Sequence, residues 1–183
     1  DTYDLALLKQ TDLIKTMPIM VIPTSLNLKA CVSEQITLYD YQKETFVHAS
    51  HPLLKPDALF IDQSIIESLG FKRKLIQSMD NLLLAIESFN EPMPLILESL
   101  AQTIIQKSLK AIPLLTTDQE ESLSTLIDTS LMSALLASNT KLTIFQALER
   151  AIMNHHPKLP RGIMSVCLAE LYYKERLKDP LYE

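Results

Sequence analysis

Glycine is almost absent from this sequence of 183 residues, which contains only Gly70 and Gly162. Tight β-turns and phosphate-binding loops use glycine freely, because it tolerates positive φ and lets the backbone approach a ligand closely. The scarcity of glycine therefore disfavours an all-β fold and a nucleotide-binding fold.

Recognisable catalytic motifs are also lacking. The two cysteines, Cys31 and Cys167, are far apart and match no metal-binding or redox spacing, so we expect two separate buried thiols. The sequence has no Gly-x-Ser-x-Gly elbow, no P-loop and no His-Glu-x-x-His. The glutamate and histidine pair of a helical di-iron centre is missing as well. We therefore expect no catalytic residues.

The four histidines form two close pairs, and neither pair predicts a metal site. His48 and His51 would present two imidazoles to a metal only if that turn were helical, and no nearby cysteine completes the set. His155 and His156 are adjacent, so on a helix they would point about 100° apart. We expect no metal and no cofactor.

Four helical glutamates are candidates for acid or base chemistry, but none has an evident partner. They are Glu87, Glu98, Glu149 and Glu170. Ionised carboxylates are rarely buried, so we expect all four to be solvated surface acids.

Excess positive charge and long apolar runs are lacking too. The formal net charge is -5 and the pI is about 5.4, which opposes binding to nucleic acid or anionic lipid. The basic run Lys72–Lys74 is better explained as a solvated helix end. No stretch approaches the ~18 apolar residues that span a bilayer, and no signal peptide is visible. We expect a soluble, cytoplasmic protein without membrane insertion.

The residues that are present favour a mainly α fold. Hydrophobic residues make up 47% of the chain and charged residues 21%, which is typical of a globular protein with a substantial core. We predict a compact bundle of about six helices with a small N-terminal β-hairpin or extended appendage. The predicted division is an N-terminal segment over 1–56 and a helical bundle over 57–183.

Apolar and less apolar residues alternate with a period of two, as in a β-strand, only in the N-terminal segment. Residues 1–16 allow a short helix. Leu26, Leu28, Ala30 and Val32 alternate with less apolar residues, as in a half-buried strand. Two further strands are predicted at 36–39 and 45–47, and the turn-rich residues 51–56 mark the border of the bundle.

Helical periodicity and helix-capping signals continue from residue 57 to the end of the chain. Asp57 has the position of an N-terminal cap and Gly70 that of a left-handed C-terminal cap. Pro113 is expected to break a helix, and Thr117–Glu120 has the form of a capping box. The helices are predicted at about 57–69, 72–89, 95–112, 117–139, 140–154 and 163–178.

The central feature is the pair of helices within Lys72–Ile112. The second of them, Leu95–Ile112, is apolar around more of its circumference than the first. Such a helix must be covered by several neighbours or by a partner. If Leu95, Ile96 and Leu100 are fully buried, the segment is scaffold; if any is bare, we expect a missing partner.

Without chemical motifs, the leading hypothesis is a non-enzymatic interaction module. It would be an adaptor, chaperone or assembly subunit, for example in bacterial secretion, that binds another protein in a hetero-complex or a homo-oligomer. Exposed aromatic and aliphatic side chains are the interface candidates. These are Tyr39, Tyr41, Phe46, Leu95, Ile96, Leu100, Tyr172 and Tyr173. The alternatives are a helical small-molecule-binding domain with an apolar pocket and, third, an enzyme with an unrecognised site.

Overall fold

The computed structural model describes residues 17–89, 92–140, 144–156, 158–159, 162, 166–167, 170 and 174, and most of them are helical. This confirms the mainly α prediction. The strands are β1 (Met20–Val21), β2 (Gln35–Asp40), β3 (Thr45–Ser50) and β4 (Ala58–Leu59). The helices are α1 (Lys29–Val32), α2 (Gln63–Glu67), α3 (Phe71–Ser88), α4 (Leu95–Leu114), α5 (Gln119–Asn139) and α6 (Ile144–His155), with a 3-10 turn at Pro52–Leu54.

The predicted hairpin is present as the antiparallel pair β2 and β3. Its register runs from Gln35 opposite Ser50 to Asp40 opposite Thr45. One carboxylate oxygen of Asp40 accepts the backbone N–H groups of Gln42 and Lys43 and so closes the turn. A second, very short pair joins β1 to β4 in parallel.

The strand predicted over 26–32 is wrong. Leu26 and Leu28 are both fully buried, and the chain turns into α1 directly after them. The N–H of Cys31 donates to the carbonyl of Leu28 at 2.9 Å, which is a helical turn rather than a ladder bond. A short extended stretch is enough to bury Leu26 and Leu28, which are two residues apart. The alternation over 26–32 therefore did not require a strand.

The predicted caps of the helix after residue 57 are also wrong. Asp57 precedes β4, and its carboxylate accepts the N–H of Ile19 at 2.7 Å. The cap of α2 is Asp62, whose carboxylate accepts the N–H of Ser64 at 2.9 Å. Gly70 has φ of -60° and precedes α3, so it is an N-terminal cap and not a left-handed C-terminal one.

The basic run Lys72–Lys74 lies in the first turn of α3, a place that the helix dipole disfavours. Lys74 is nevertheless buried, because its ammonium donates to the carbonyl of Glu67 at 3.1 Å. That carbonyl lies at the end of α2, where cations are favourable. The favourable interaction of the Lys74 charge with the end of α2 thus offsets its unfavourable position at the start of α3.

Helices α3, α4 and α5 pack along one another and contain most of the described core. The predicted pair within Lys72–Ile112 is confirmed as α3 and α4. Pro113 does not break α4, which continues to Leu114. The start predicted for α5 is confirmed, but Asp118 rather than Thr117 is the cap, accepting the N–H of Glu121 at 3.2 Å.

The start of α4 is not covered by the described residues. Leu95 and Ile96 are each 76% exposed, whereas Leu100 is half-buried against the cluster formed by Ala101, Ile104 and Leu136. Part of the central segment is therefore bare, and the partner that would cover it remains a prediction.

Two predicted helices lie wholly or mostly outside the described residues. The helix predicted within 1–16 lies outside the described residues, and of the predicted last helix only 166–167, 170 and 174 are described, all helical. The division at residue 56 stays a prediction. No helix in the described ranges is long and apolar enough to cross a membrane.

Asn81 on α3 joins the loop before α1 to α5, and its replacement tests this connection. Its amide nitrogen donates to the Leu26 carbonyl at 3.0 Å and to the Ser130 hydroxyl at 2.9 Å. We expect Asn81→Leu to lower the free energy of unfolding by about 1–3 kcal/mol, because two part-buried partners lose a donor. Urea unfolding followed by circular dichroism measures this loss.

Asn139→Leu is the matched control. Its amide also donates to a carbonyl, that of Leu135, but the bond is exposed. We expect a change of about 0.5 kcal/mol or less. Equal losses in the two variants would contradict a joining role for Asn81.

Candidate ligand-binding cleft

A cleft of about 580 Å³ lies between the β2–β3 hairpin and the helices. Its walls come from the loop before α1, α1 itself, both hairpin strands, α3, α5 and α6. The charged and amide side chains on these walls are Asn27, Lys29, Gln35, Gln77, Asp80, Asn81, Gln146, Glu149 and Arg150. The volume falls in the range of small-molecule sites, and polar groups from several elements converge on it.

The loop before α1 is held in place by α3. The backbone N–H of Leu26 donates to the side-chain oxygen of Gln77 at 2.9 Å, and its carbonyl accepts from Asn81. Because the Leu26 side chain is also fully buried, this point of the loop is fixed by both polar and apolar contacts. Lys29 follows three residues later and is thereby positioned on the cleft wall.

Lys29 and Arg150 form the cationic side of the cleft. Burial lowers the pKa of Lys29, and the nearby Arg150 guanidinium lowers it further. Within the described part of the chain, Lys29 makes no hydrogen bond or ion pair.

Asp80 and Glu149 form the acidic side, and Gly162 lies between them. The N–H of Gly162 donates to a carboxylate oxygen of Glu149, which is buried. Gly162 has φ of +85°, and a Cβ placed there would lie 3.1 Å from the Cβ of Asp80. The absence of a side chain therefore lets the backbone fit between α3 and α6.

A buried hydroxyl without a partner completes the wall. Ser133 on α5 lines the cleft, is 1% exposed, and its hydroxyl has no hydrogen-bond partner within the described part of the chain. Nearby serines on the same helix bond back to it, as Ser130 does to the Leu126 carbonyl at 2.6 Å. An unpaired buried hydroxyl is costly, because it has lost its hydrogen bonds to water without gaining a protein partner.

Among the predicted interface residues that the structure describes, Phe46 alone lines the cleft. The Tyr39 ring packs edge-on against both Tyr41 and Phe46, with ring centres 5.1 Å apart in each pair, and Tyr41 is 85% exposed. The N–H of Phe46 also donates to the side-chain oxygen of Asn154 at 3.2 Å, which ties the hairpin to α6.

The other predicted interface residues lie elsewhere. Leu95, Ile96 and Leu100 belong to α4, which contributes nothing to the cleft wall. Tyr172 and Tyr173 lie outside the described residues. The described members of the set therefore form two groups, one on the hairpin and one on α4, and their role as an interface remains a prediction.

Two of the four glutamates expected on the surface are buried instead. Glu87 accepts the N–H of Phe145 at 3.3 Å, and Glu149 accepts that of Gly162. A carboxylate that receives a backbone N–H can be buried at lower cost, which is why the expectation failed. The sequence did indicate that Glu149 is buried. It lies four residues from both Phe145 and Met153, and this spacing places it on the same, buried face of α6.

Cys31 and Cys167 are both free thiols. Cys31 is half-buried, and burial raises its pKa, whereas Cys167 is exposed. The expectation of two buried thiols is therefore wrong for Cys167. A raised pKa keeps the Cys31 thiol protonated and unreactive.

Histidine contributes no metal site in the described ranges. The ring nitrogen Nδ1 of His51 accepts the N–H of Leu53 at 3.2 Å and caps the 3-10 turn. No group of three or more histidine, cysteine, aspartate or glutamate side chains in the described part of the chain could hold a metal ion.

Sequence comparison does not assign the chain to a family. No family model matches it, and no curated protein matches it in sequence.

Comparison with solved structures does find the fold. The chain is similar to sulfoacetaldehyde reductase from Bifidobacterium kashiwanohense in complex with NAD+ (TM-score 0.73, 22% identity, 81% of this chain and 40% of that one). It is also similar to maleylacetate reductase from a Rhizobium species (TM-score 0.71, 14% identity, 88% and 45%). Iron-containing alcohol dehydrogenase from Corynebacterium glutamicum is a third match (TM-score 0.71, 15% identity, 88% and 44%). The chain spans less than half the length of these proteins.

These matches overturn the leading functional hypothesis. The expectation of a non-enzymatic adaptor, chaperone or assembly subunit, with a place in secretion, is contradicted because the similar structures are dehydrogenases and reductases. The fold resembles that of part of these dehydrogenases and reductases. A motif search could not detect it, since the cleft residues are scattered from Ser25 to Met153.

Iron does not fit the described residues. Two of the similar structures are named as iron-containing alcohol dehydrogenases, so the fold raises the question of a metal. Of the residues that the structure describes on the cleft wall, Asp80 and Glu149 are the anionic oxygen ligands, and a Glu149 oxygen is engaged by the Gly162 N–H. Iron sites in proteins commonly add imidazole, and no histidine among the side chains that the structure describes lines this cleft.

The fit of Gly162 between α3 and α6 can be tested with the other glycine as control. Gly162→Ala would place a methyl group 3.1 Å from the Cβ of Asp80 in a backbone conformation that alanine disfavours. We expect the free energy of unfolding to fall by about 1–3 kcal/mol. Gly70→Ala has open space and a negative φ, so its change should stay below about 1 kcal/mol. Thermal and urea unfolding of both variants measure the difference.

The charge of Lys29 should lower stability near neutral pH. Because the pKa of Lys29 is lowered on folding, the unfolded chain holds the proton more tightly, and stability rises with pH between the folded and unfolded values. Lys29→Met should therefore be more stable than the wild type at neutral pH, with the difference shrinking as pH rises through that range.

Urea unfolding at neutral and alkaline pH measures this effect. The exposed Lys110→Met is the control and should show no such trend. A Lys29→Met variant that is less stable at neutral pH would show that Lys29 takes part in a favourable ion pair, with Asp80 or Glu149 as the cleft acids in question.

Proposed function

We propose that this helical bundle and its hairpin form the ligand-binding part of an oxidoreductase of the alcohol dehydrogenase and reductase kind. In this proposal a small alcohol or carbonyl compound binds in the cleft between the hairpin and α3, α5 and α6. The observation that carries it is the cleft itself, which gathers charged and amide side chains from several elements in a fold that resembles dehydrogenases and reductases.

The chemistry of the wall supports a polar, small ligand. The apolar part of the wall includes Leu28, Leu84 and Met153, so a ligand can bury hydrocarbon against it. The amide side chains on the wall can orient a hydroxyl or carbonyl oxygen. This combination of apolar wall and few polar groups is typical of small-molecule sites.

The proposal assigns no dinucleotide site to this chain. One similar structure is named as a complex with NAD+, and another is an NADH-dependent butanol dehydrogenase from Thermotoga maritima. A dinucleotide is usually held by a glycine-rich turn between a strand and a helix. The two glycines here are isolated, and neither forms such a turn.

Filling the cleft should abolish ligand binding. Ala137 is buried on α5 and lines the cleft, so Ala137→Phe would occupy space that the ligand needs. We expect the purified chain to bind small aldehydes, ketones and their alcohols, measured by ligand-observed NMR, and the variant to lose that binding. Amines of the same carbon skeleton should bind more weakly.

Ser124→Phe is the matched control, because Ser124 is exposed on the same helix and does not line the cleft. It should bind as the wild type does, and circular dichroism should show both variants folded. If no carbonyl compound or alcohol binds, or if Ala137→Phe leaves binding unchanged, the proposal is wrong.

A further inference from the structure

We propose that Lys29 captures carbonyl compounds: its side-chain amine condenses with an aldehyde or ketone bound in the cleft and holds it as an imine. The inference deepens the proposed function and rests on it, because the cleft and the class of ligand are the same. It adds a reversible covalent step, which an alcohol of the same carbon skeleton cannot undergo.

Lys29 is held at a fixed place on the cleft wall. It begins α1 directly after Leu28, whose side chain is buried. Two residues before Leu28, the backbone of Leu26 is bonded to Gln77 and Asn81 on α3. The Lys29 side chain lines the cleft and is half-buried. Because the backbone that carries it is fixed, the amine is kept beside the space that a ligand would occupy.

The Lys29 amine also has no protein partner in the part of the chain that the structure describes. Lys74 is the contrasting case, since it is buried too but its ammonium donates to the carbonyl of Glu67 at 3.1 Å. Such a bond stabilises the charged form of the amine and occupies its nitrogen. No described residue occupies the Lys29 nitrogen in this way, so the nitrogen is available to a ligand.

Three other charged side chains among the described residues line the cleft, Asp80 from α3 and Glu149 and Arg150 from α6. Each of these three has interactions of its own with other groups. In these surroundings burial, and secondarily the charge of Arg150, lowers the pKa of Lys29. A larger share of its amine is therefore neutral at pH 7 than in an exposed lysine, and the neutral amine is the nucleophile.

Imine formation in the cleft needs no further reactant. The neutral nitrogen attacks the carbonyl carbon and gives a carbinolamine, in which the carbonyl oxygen has become a hydroxyl. Loss of this hydroxyl as water leaves a C=N bond, and addition of water reverses the reaction, so no oxidant or reductant is required. Lysine amines with a lowered pKa commonly perform this chemistry with carbonyl compounds. The hydrocarbon part of the ligand can lie against Leu28 and Leu84, which line the same cleft.

Propanal and 1-propanol are suitable probes, because they share a carbon skeleton and differ at the carbonyl group. Cyanoborohydride reduces an imine to a stable propylamine, and peptide mass spectrometry locates the propylated lysine. At neutral pH and limiting propanal, we expect Lys29 to be labelled roughly 10-fold faster than the exposed Lys110 in the same sample. This ratio should fall at about pH 10, where a large share of the exposed amines is neutral as well.

Three variants separate imine formation from other causes. Lys29→Arg keeps a positive charge but cannot form an imine, so propanal binding in NMR titrations should weaken roughly 10-fold while 1-propanol binding stays the same. Ala137→Phe fills the cleft and should remove the preferential labelling of Lys29. Lys110→Arg on α4 should leave the labelling of Lys29 unchanged. Circular dichroism should show all three variants folded.

The outcomes distinguish this inference from the proposed function. If propanal and 1-propanol bind equally in the cleft and Lys29 is labelled no faster than Lys110, the imine inference is wrong and the proposed function stands. Preferential labelling of Lys29 that persists in Ala137→Phe would place the reaction outside the cleft and would also overturn the inference. If neither probe binds and Lys29 is not labelled preferentially, both proposals fail.

Discussion

The structure depends on the two hydrogen bonds that the backbone of Leu26 makes with α3. Gln77 accepts its N–H and Asn81 donates to its carbonyl, while the leucine side chain is fully buried. Asn81 also reaches Ser130 on α5. The irregular loop before α1 is therefore bonded to α3, and α3 to α5, through one short polar network. A cleft bordered by an irregular loop keeps its shape only if the loop is fixed in this way, so the position of Lys29 follows from these bonds.

Buried carboxylates likewise bond neighbouring segments to one another at the other side of the bundle. Glu87 on α3 accepts the N–H of Phe145 in the first turn of α6, where helical N–H groups have no partner within the helix. Glu149 on α6 accepts the N–H of Gly162, in the chain that follows. In both cases a helix supplies the acceptor for the segment that comes later in sequence. Each acid thus accepts a backbone N–H group, which lowers the cost of burying its carboxylate.

The sequence predicted regular elements well and polar contacts poorly. Periodicity located α3, α4 and α5 and the hairpin within a few residues, because these depend on local apolar spacing. It failed at Leu26–Val32 and at Gly70, where the outcome depends on contacts with α3 and α2 that have no local signature. The cleft was missed for the same physical reason: Lys29, Ser133 and Arg150 are each ordinary in their own segment. Only the four-residue spacing of Glu149 with Phe145 and Met153 marked a polar group on a buried face.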